Sequence, residues 1–390
     1  MRVCMIAYST YESDNRILRY AEALAKRGDH VDIFSINKGG DLPRETIQGV
    51  HVHRLQDRPG KENTKGKYLV NILLFCFRAM RAVSLAHLRK SYDLVHVHSV
   101  PDFLVFTAWL PRLTGAKLIL DIHDLLPEFY ASKFGKSEDS WISVFMRLVE
   151  RVSVLFSHHV IISNDLWKTK ILARSVREDR CSVFINYPDF SIFSPAGRTR
   201  ADSKFIIVFP GTLNHHQGVD IAIRAMALLR DSLPEAEFHV YGEGQSKPDL
   251  LALVRDLGLQ DRVLLKDSIP IREVAQRIEN ADLGVVPKRN DPFGGDAFST
   301  KIFEFMALNV PVIVADTRID RFYFNDSIVK FFHNGDERDL ADTILLLARD
   351  SSLRAQLVAK ARLFVNQNSW DLKKSDYFSL VDSLVHGKTA

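Results

Sequence analysis

Short apolar runs alternate with amphipathic stretches along the whole chain, and this alternation restricts the fold more than any other feature of the sequence. Runs without polar residues suit strands that are buried on both faces, so the pattern predicts parallel strands covered by helices. Helices are predicted, for example, at Ile17 to Arg27 and Trp141 to Ser157. The predicted strands of the first half are Val3 to Tyr8, Val31 to Ser35, Val50 to Leu55, Leu94 to His98, Leu118 to Ile122, His159 to Ser163 and Ser182 to Ile185.

The same alternation restarts in the second half, which predicts a second sheet. Its predicted strands are Ile206 to Pro210, Phe238 to Gly242, Val263 to Lys266, Leu283 to Pro287 and Val310 to Ala315. Turn residues at Asn186 to Asp189 and Phe193 to Gly197 indicate a linker that ends near Ser203. We therefore expect an α/β protein with two Rossmann-like, doubly wound domains, at residues 1–195 and 203–368. A C-terminal helix is expected in residues 369–390.

Composition is that of a globular protein, with 46% hydrophobic and 26% charged residues in a chain of 390. The net charge of +4 is too small to indicate a nucleic-acid partner. The cysteines, Cys4, Cys76 and Cys181, lack metal-ligand spacing and predict reduced thiols in a cytoplasmic protein. The N-terminus passes into the first strand without the pattern of a signal peptide. The sequence gives no indication of the oligomeric state.

The segment from residue 61 to residue 90 is strongly basic. Its apolar residues recur at helical spacing, so it could form an amphipathic helix that contacts an anionic membrane surface from the cytoplasmic side. The alternative is an ordinary domain helix with a solvated basic face. The apolar stretch from Tyr68 to Phe77 is about half the roughly 20 residues that cross a bilayer, so no membrane span is expected. The basic residues are Lys61, Lys65, Lys67, Arg78, Arg81, Arg89 and Lys90, against the acid Glu62.

The stretch that begins at Asp296 says most about function. Seven residues separate Asp296 from Glu304, the run from Ser299 to Leu308 predicts a helix, and Pro311 precedes a buried strand. One carboxylate is therefore expected at the mouth of a helix and the other about two turns in. A helix N-terminus favours anionic ligands, and carboxylates accept hydrogen bonds from sugar hydroxyls. The alternative is that Asp296 caps the helix and Glu304 is an exposed helix charge.

With this spacing, the stretch resembles the Glu-x7-Glu motif of the retaining family 4 glycosyltransferases, although Asp296 replaces the first Glu. The resemblance extends over essentially the whole chain and implies the GT-B fold, in which two Rossmann-like domains face a central cleft. It also implies that the C-terminal helix in residues 369–390 packs back on the N-terminal domain. It implies that Asp296 contacts the transferred sugar and that Glu304 binds the ribose of the nucleotide. The implied donor is a nucleoside diphosphate sugar, with UDP favoured. No Asp-x-Asp motif is present, so neither a metal nor another cofactor is predicted.

A two-domain dehydrogenase would show the same alternation of strands and helices. However, the dinucleotide-binding pattern Gly-x-Gly-x-x-Gly is absent after the first strand of each half, where Ser9-Thr-Tyr and Thr212-Leu-Asn stand. This absence weakens the nicotinamide alternative.

Polar residues that follow strands of the first half predict an acceptor side of the site. His123 and Asp124 follow the strand that ends at Ile122, and the resemblance implies that His123 reaches the transferred sugar. A histidine that only caps a helix or bonds near the sheet is the alternative. Asp124 and Glu128 are candidates for orienting the acceptor, and Glu128 could equally favour a helix dipole. In the first loop, Asp14 is a natural helix cap and Arg16 could meet an anionic acceptor.

The donor side departs from the family at two positions. Many members place Arg and Lys where this chain has Thr212 and Gln217, and those cations neutralise the donor diphosphate. A leaving diphosphate needs other positive groups, and Lys301 in the first turn of the motif helix is the leading replacement. Lys288 and Arg289 are further candidates. The predicted donor-side residues are Gly211, Thr212, Gly242, Gly244, Ser268, Ile269, Ala297, Phe298, Ser299, Thr300 and Glu304, with His123, Asp296 and Lys301 predicted as catalytic.

The expected function is transfer of a sugar from a nucleoside diphosphate donor to a hydroxyl acceptor with retained configuration. The expected acceptors are a glycan or a lipid-linked precursor of a bacterial-type polysaccharide or lipopolysaccharide. One alternative is a nucleotide-sugar-binding protein without transfer activity, because the Arg and Lys pair is missing. Another is a different GT-B enzyme, such as a nucleotide-sugar epimerase or a phosphorylase.

Overall fold

The computed structural model describes residues 1–37, 39, 41–57, 65–134 and 140–387. By internal contacts the chain divides into two compact units. Unit 1 comprises Met1–Asn186 together with Lys373–Ala390, and unit 2 comprises Tyr187–Leu372. Residues 187–202, which the sequence analysis assigned to the end of the first domain and to the linker, therefore group with unit 2.

Unit 1 is built on an eight-stranded sheet with the strand order β3-β4-β2-β1-β5-β6-β7-β8. All neighbours pair in parallel except β3 and β4, which are antiparallel. The seven predicted strands are confirmed, whereas β3 was missed because its side chains are mostly exposed and polar. The strands are β1 (Arg2–Thr10), β2 (His30–Asn37), β3 (Arg44–Ile47), β4 (Val50–Asp57), β5 (Leu94–His98), β6 (Lys117–Ile122), β7 (His159–Ile162) and β8 (Cys181–Val183).

Helices cover this sheet between the strands. They are α1 (Asn15–Arg27), α2 (Lys65–Arg89), α3 (Trp109–Leu113), α4 (Leu126–Phe134), α5 (Trp141–Phe156) and α6 (Asp165–Arg174), with a 3-10 helix at Asp102–Ala108. Local sequence sets the limits of α1, since the Asp14 side chain accepts a hydrogen bond from the Arg16 N–H and Gly28 takes the left-handed conformation that ends the helix. Cys4, Cys76 and Cys181 are free thiols, and burial raises the pKa of each.

The apolar part of α2 is longer than the stretch from Tyr68 to Phe77 that the sequence analysis identified. Gly66–Arg89 is long and apolar enough to cross a membrane by length and composition, with a hydropathy of 1.7. One face of the helix is nevertheless buried in unit 1, through Ile72, Phe75, Ala79 and Val83. Residues 58–64, which include Lys61 and Glu62 of the basic segment, lie outside the described residues.

Unit 2 is built on a six-stranded parallel sheet with the strand order β11-β10-β9-β12-β13-β14. The five predicted strands are confirmed, and the three-residue β14 is an addition to them. The strands are β9 (Phe205–Pro210), β10 (Ala236–Tyr241), β11 (Val263–Lys266), β12 (Leu283–Val286), β13 (Val312–Ala315) and β14 (Lys330–Phe332). Because β10 follows β9 on one side and β12 lies on the other, the order of the strands reverses between β9 and β12.

The helices of unit 2 bury one apolar face each against this sheet or against one another. They are α7 (Val219–Leu228), α8 (Lys247–Asp256), α9 (Ile271–Glu279), α10 (Thr300–Ala307), α11 (Arg318–Tyr323), α12 (Glu337–Arg349) and α13 (Ser351–Gln367). The last helix, α14 (Trp370–His386), groups with unit 1 from Lys373 onward. There the Tyr377 hydroxyl lies 2.9 Å from Nδ1 of His96, and Arg27 pairs with Asp382 at 3.0 Å.

Candidate active site

The candidate donor site of unit 2 lies at the carboxyl ends of β9 and β12, where the strand order reverses. Ligands of doubly wound sheets bind at this kind of switch point, because the loops that follow the two strands diverge there. The chain leaves β9 through Gly211 and Thr212, and it leaves β12 through Pro287 and Lys288. The helix α10, which carries Lys301 and Glu304, begins at Thr300.

The predicted glycines allow two loops of unit 2 to approach each other closely. The Gly211 N–H donates to the Tyr241 carbonyl at 2.9 Å, which fixes the two loops side by side. A Cβ on Gly242 would lie 1.8 Å from the Gly211 oxygen, and one on Gly244 would lie 2.2 Å from the Leu213 oxygen. These two glycines are therefore required by the packing of protein backbone on protein backbone.

Lys301 extends across Gly211 towards the loop that follows β9. A Cβ on Gly211 would lie 2.3 Å from Cε of Lys301, so the lysine occupies the space that the glycine leaves. Its ammonium lies 3.2 Å from Oε1 of Gln217 and 5.1 Å from the centre of the Phe209 ring. Burial lowers the pKa of Lys301 to about 8, with Glu304 acting against the shift and Lys288 adding to it. The Lys301 side chain therefore changes between its charged and its neutral form near pH 8.

The other two candidate cations are engaged in ion pairs of their own. Lys288 is buried, pairs with Asp320 at 3.0 Å and donates to the Ala297 carbonyl at 2.6 Å. Arg289 donates to both carboxylate oxygens of Asp220, at 2.8 and 2.7 Å. Lys288 therefore shapes the loop before α10, and among the three candidate cations Lys301 is the one whose described partner is a neutral amide.

The N-terminus of α10 presents hydroxyl groups beside Lys301. Ser299 caps the helix without a side-chain hydrogen bond, and within the described part of the chain its buried Oγ has no hydrogen-bond partner. Thr300 lies 3.4 Å from Oε1 of Glu304, and burial raises the pKa of Glu304 against the opposing effect of Lys301. Phe298 is anchored by aromatic contacts, with its ring 5.2 Å from that of Phe303.

Asp296 is 2% exposed and pairs with Nη2 of Arg318 at 2.9 Å, a contact that the sequence analysis did not foresee. The Arg318 side chain is 60% exposed, so the partner of the buried carboxylate lies at the surface. At the end of β11, Ser268 is exposed and Ile269 is half-buried, beside an exposed Asp267 that pairs with Lys247 at 2.6 Å. Thr212 is also exposed.

Unit 1 holds a cavity of about 210 Å³ at the carboxyl ends of β1, β5 and β6. Its lining brings His123, predicted as catalytic, together with three of the four residues predicted for the acceptor side, Asp14, Arg16 and Asp124. Ser9 and His98 line it as well. Within the described residues, Oγ of Ser9, Nε2 of His98 and Nδ1 of His123 are buried and have no hydrogen-bond partner. Buried polar atoms of this kind are usually paired, so the cavity is suited to a polyhydroxylated ligand.

The buried carboxylate of Asp121 fixes the histidines of this cavity. It accepts a hydrogen bond from Nε2 of His123 at 2.9 Å and lies 3.1 Å from Nδ1 of His98. Burial raises the pKa of Asp121, but the surrounding histidines outweigh it and hold that pKa well below its usual value. Burial also lowers the pKa of His98, which favours its neutral form. Asp121 thus orients the rings of His98 and His123, two residues that line the cavity.

Asp14 and Arg16 form a bidentate pair at the rim of the cavity, at 3.0 and 3.1 Å. Burial raises the pKa of Asp14, but Arg16 and the nearby histidines lower it to about 2. Asp124 has the opposite behaviour, because burial raises its pKa and Arg16 only partly compensates. The predicted capping role of Asp14 is confirmed by its contact with the Arg16 N–H.

Glu128 is the exception among the acceptor-side predictions. Its buried carboxylate accepts hydrogen bonds from both terminal nitrogens of Arg174, at 2.7 and 3.2 Å. Arg174 also pairs with the buried Glu150 at 2.6 Å. Glu128 is not among the residues that line the cavity described above, and the ion-pair network is its observed surroundings; its role in orienting an acceptor stays a prediction.

The sequence analysis missed His98 and Asp121, which lie within apolar runs at the ends of β5 and β6. A polar residue that interrupts the end of a buried strand is the signal that could have indicated them. Ligand atoms of His96, His98 and Asp121 also lie within 4.8 Å of one another, a spacing that could hold a metal ion. Here these atoms belong to a hydrogen-bonded network that includes His123 and Tyr377.

Two Rossmann-like units with these strand orders define a protein of the GT-B fold. The family model for a "Glycosyl transferase 4-like domain" matches residues 13–186, and that for "Glycosyl transferases group 1" matches residues 193–364. The two models together account for most of the chain. The protein therefore belongs to the family 4 glycosyltransferases and is a glycosyltransferase.

Known proteins with similar sequence or structure agree with this assignment. The D-inositol 3-phosphate glycosyltransferase of Thermomonospora curvata is 25% identical over 383 residues, which cover 91% of this chain and 86% of that protein. Sucrose-phosphate synthase from Thermosynechococcus elongatus superposes with a TM-score of 0.82 at 19% identity, over 100% of both chains. HepE from Anabaena, solved in complex with UDP, superposes with a TM-score of 0.73 at 16% identity, over 98% of this chain and 100% of that chain.

Proposed function

We propose that this glycosyltransferase moves a sugar from a nucleoside diphosphate donor, UDP-sugar foremost, to a hydroxyl group of a glycan or lipid-linked acceptor. We further propose that the configuration of the transferred sugar is retained. The observation that carries the proposal is the ammonium of Lys301, which stands across Gly211 at the switch point of unit 2 with the amide of Gln217 as its described partner. The choice of UDP rests on the UDP complex of HepE, which has a similar fold.

Lys301 supplies a positive charge in place of the family's Arg and Lys, which this chain replaces with Thr212 and Gln217. A departing nucleoside diphosphate carries two to three negative charges, and a fixed cation at that point stabilises the transition state. Charge-assisted hydrogen bonds to phosphate oxygens are about twice as strong as neutral ones. The Ser299 hydroxyl and the first amides of α10 add donors on the same side.

The two carboxylates of the motif hold the sugar parts of the donor. Glu304, half-buried one turn into α10, is suited to accept hydrogen bonds from the ribose hydroxyls. Asp296 accepts from the transferred sugar once the exposed Arg318 has moved aside. In this exchange the buried Asp296 carboxylate keeps a hydrogen bond, now from a sugar hydroxyl, and the exposed guanidinium of Arg318 is hydrated.

Retention requires the acceptor to approach on the face from which the diphosphate leaves. In the proposed step, the bond between the anomeric carbon and the phosphate oxygen breaks and the acceptor oxygen bonds to that carbon. The acceptor proton passes to the departing phosphate oxygen, which completes the balance without a covalent sugar–enzyme intermediate. Lys301 stabilises the negative charge that remains on the diphosphate.

The cavity of unit 1 is the proposed place of the acceptor. Its volume of about 210 Å³ suits a sugar-sized ring, and its unpartnered histidine and serine atoms are available for hydroxyl groups. Arg16 lies at the rim in its ion pair with Asp14, so a negative group of the acceptor would compete with that carboxylate for the guanidinium. Free cysteines fit the proposed cytoplasmic location, because such thiols persist in a reducing compartment.

A thermal-shift screen of UDP, GDP, ADP and the corresponding sugars tests the donor. A ligand at 100 times its dissociation constant stabilises a protein by roughly 2.7 kcal/mol, which is readily measured. Turnover of the best donor with a labelled sugar then tests transfer. Lys301→Ala should remove turnover, whereas the control Lys360→Ala, at an exposed site on α13, should not.

The alternatives give different results in the same assays. Donor binding without transfer to any acceptor would indicate a binding protein. Conversion of the donor sugar without an acceptor would indicate an epimerase. Equal turnover in Lys301→Ala and Lys360→Ala would remove the assignment of Lys301.

A further inference from the structure

The outward face of α5 is apolar where a surface helix of a soluble domain is normally polar. The exposed residues recur at intervals of three and four and so form one stripe along the helix. The buried face of the same helix includes Ser143, Glu150 and Ser153. Trp141, at the start of the stripe, is 78% exposed. The members of the stripe are Trp141, Val144, Phe145, Leu148, Val152 and Leu155.

The helix α2 carries a second stripe of the same kind. Its inner stripe, through Ile72 and Phe75, is buried in unit 1, so α2 is apolar on two opposite faces. Phe77 and Leu88 of the outer stripe are 67% and 69% exposed. The exposed apolar residues of α2 are Tyr68, Leu69, Val70, Leu73, Leu74, Phe77, Leu85 and Leu88.

Both helices pack against the 3-10 helix Asp102–Ala108, so they flank the same segment of unit 1. Phe106 of that segment makes an edge contact with Phe156 of α5, with ring centres 5.0 Å apart. The short helix α3, which follows it and contacts α2, adds the exposed Trp109 and Leu113. We call the exposed apolar residues of α2, α3 and α5 the apolar face. Exposed apolar surface on this scale marks an interaction site in soluble proteins.

Among the described residues of α2, α3 and α5, the exposed charges have one sign. Residues 65–92 contain neither Asp nor Glu, and the acid of α5, Glu150, is buried on Arg174. The exposed cations on the two helices are Lys67, Arg78, Arg81, Arg89 and Arg151. A surface that combines apolar and cationic side chains without exposed acids is complementary to anionic lipid headgroups above an acyl layer. Trp109 and Trp141 fit the same surroundings, since tryptophan favours the membrane–water interface.

We propose that the apolar face binds the surface of a bilayer that contains anionic lipid, with α2 and α5 lying in the interface. The helix α2 does not span the bilayer in this proposal. Its inner stripe is part of the core of unit 1, and a spanning helix would have to leave that core. This proposal extends the predicted membrane contact of residues 61–90 to α3 and α5. It is independent of the sugar that the enzyme transfers.

Flotation of the full-length protein with vesicles tests the proposal. Vesicles of phosphatidylcholine with phosphatidylglycerol should carry most of the protein at low salt, and vesicles of phosphatidylcholine alone should carry at least tenfold less. The double variant Leu148→Gln/Leu155→Gln should lower the partition coefficient on anionic vesicles at least tenfold. Arg81→Gln/Arg151→Gln should lower binding and weaken its salt dependence.

The matched control is Leu346→Gln/Leu363→Gln, which changes two exposed leucines of unit 2 and should leave vesicle binding unchanged. Circular dichroism and the thermal shift with UDP check that all variants fold. Equal flotation of the α5 variant and the control would overturn the proposal. Protein that stays with the vesicles after extraction with alkaline carbonate would overturn the proposal and indicate that α2 spans the bilayer. The proposal would also be overturned if the wild type does not bind vesicles and sediments as a dimer while the α5 variant sediments as a monomer. The apolar face would then be an interface between copies of this chain.

Discussion

The ammonium of Lys301 lies 3.2 Å from the side-chain oxygen of Gln217, at the point of unit 2 where the strand order reverses. A neutral amide is a weak partner for a half-buried cation, so the lysine is only partly compensated in the ligand-free protein, by the nearby Glu304. Burial accordingly lowers the pKa of Lys301 to about 8. An incoming diphosphate would supply the missing negative charge. The site is thus prepared for an anion at a cost to the free protein.

The affinity for UDP is expected to fall as the pH rises through 8. Lys301 is cationic below its pKa and neutral above it, so each further unit of pH should raise the dissociation constant up to about tenfold. Isothermal titration calorimetry at pH 7, 8 and 9 measures this. The variant Lys301→Arg keeps its charge over this range and should lose the alkaline dependence. The same slope in both proteins would show that another group is responsible.

Gly242→Ala is expected to destabilise the protein by about 2 kcal/mol or more, because the new methyl group would meet the Gly211 carbonyl oxygen at 1.8 Å. Backbone on both sides leaves little room for relaxation. Chemical denaturation measures the change in the free energy of unfolding. The control Gly66→Ala lies in α2 with no atom within 4 Å of its new methyl group and should be neutral or stabilising. A neutral Gly242→Ala would contradict the close loop contact.

Replacement of Arg174, whose side chain is partly exposed, should be among the most destabilising substitutions in unit 1. Arg174→Met leaves the carboxylates of Glu128 and Glu150 buried without their cation, which costs about 3–5 kcal/mol in comparable cases. Adding Glu128→Gln and Glu150→Gln should restore much of this loss. The single variant Glu128→Gln should alter unfolding and leave the KM for the acceptor unchanged. A raised acceptor KM with normal stability would return Glu128 to the acceptor site.

The stability of the protein is expected to fall between about pH 6.5 and pH 4. Burial lowers the pKa of His96 and of His159 to about 4, so in this range the unfolded chain binds protons that the folded protein does not. Stability therefore rises with pH across the window and is lost on acidification, by up to about 1.4 kcal/mol per unit of pH for each group. Urea denaturation at several pH values measures the slope. His159→Gln should reduce it, and an unchanged slope would exclude that residue.

The sequence predicted the buried strands of both sheets, because an uninterrupted apolar run leaves few other folds. It failed at β3, whose residues are exposed and polar, and at β14, which has three residues. For α2 the sequence analysis placed the apolar stretch at Tyr68 to Phe77, whereas Gly66–Arg89 is apolar enough over 24 residues to cross a membrane.

The sequence indicated which residues belong to the candidate site, but it did not indicate which side chains contact one another there. Lys301 was indicated by the missing cations at Thr212 and Gln217, but its contact with Gln217 joins positions 84 residues apart. The ion pairs of Asp296 with Arg318 and of Lys288 with Asp320 depend on loop packing that no local pattern encodes. The cluster around Asp121 requires the strands β5 and β6 to pair side by side, which places His98 opposite Asp121.

The most direct test of the central role of Lys301 is the dissociation constant of UDP at pH 7, measured by calorimetry for the wild type, Lys301→Ala and the control Lys360→Ala. A charge-assisted hydrogen bond contributes about 1.5–3 kcal/mol, so Lys301→Ala should bind UDP about 10- to 150-fold more weakly. The control should bind like the wild type. Equal affinity in all three proteins, each folded, would contradict the assignment of Lys301 to the diphosphate.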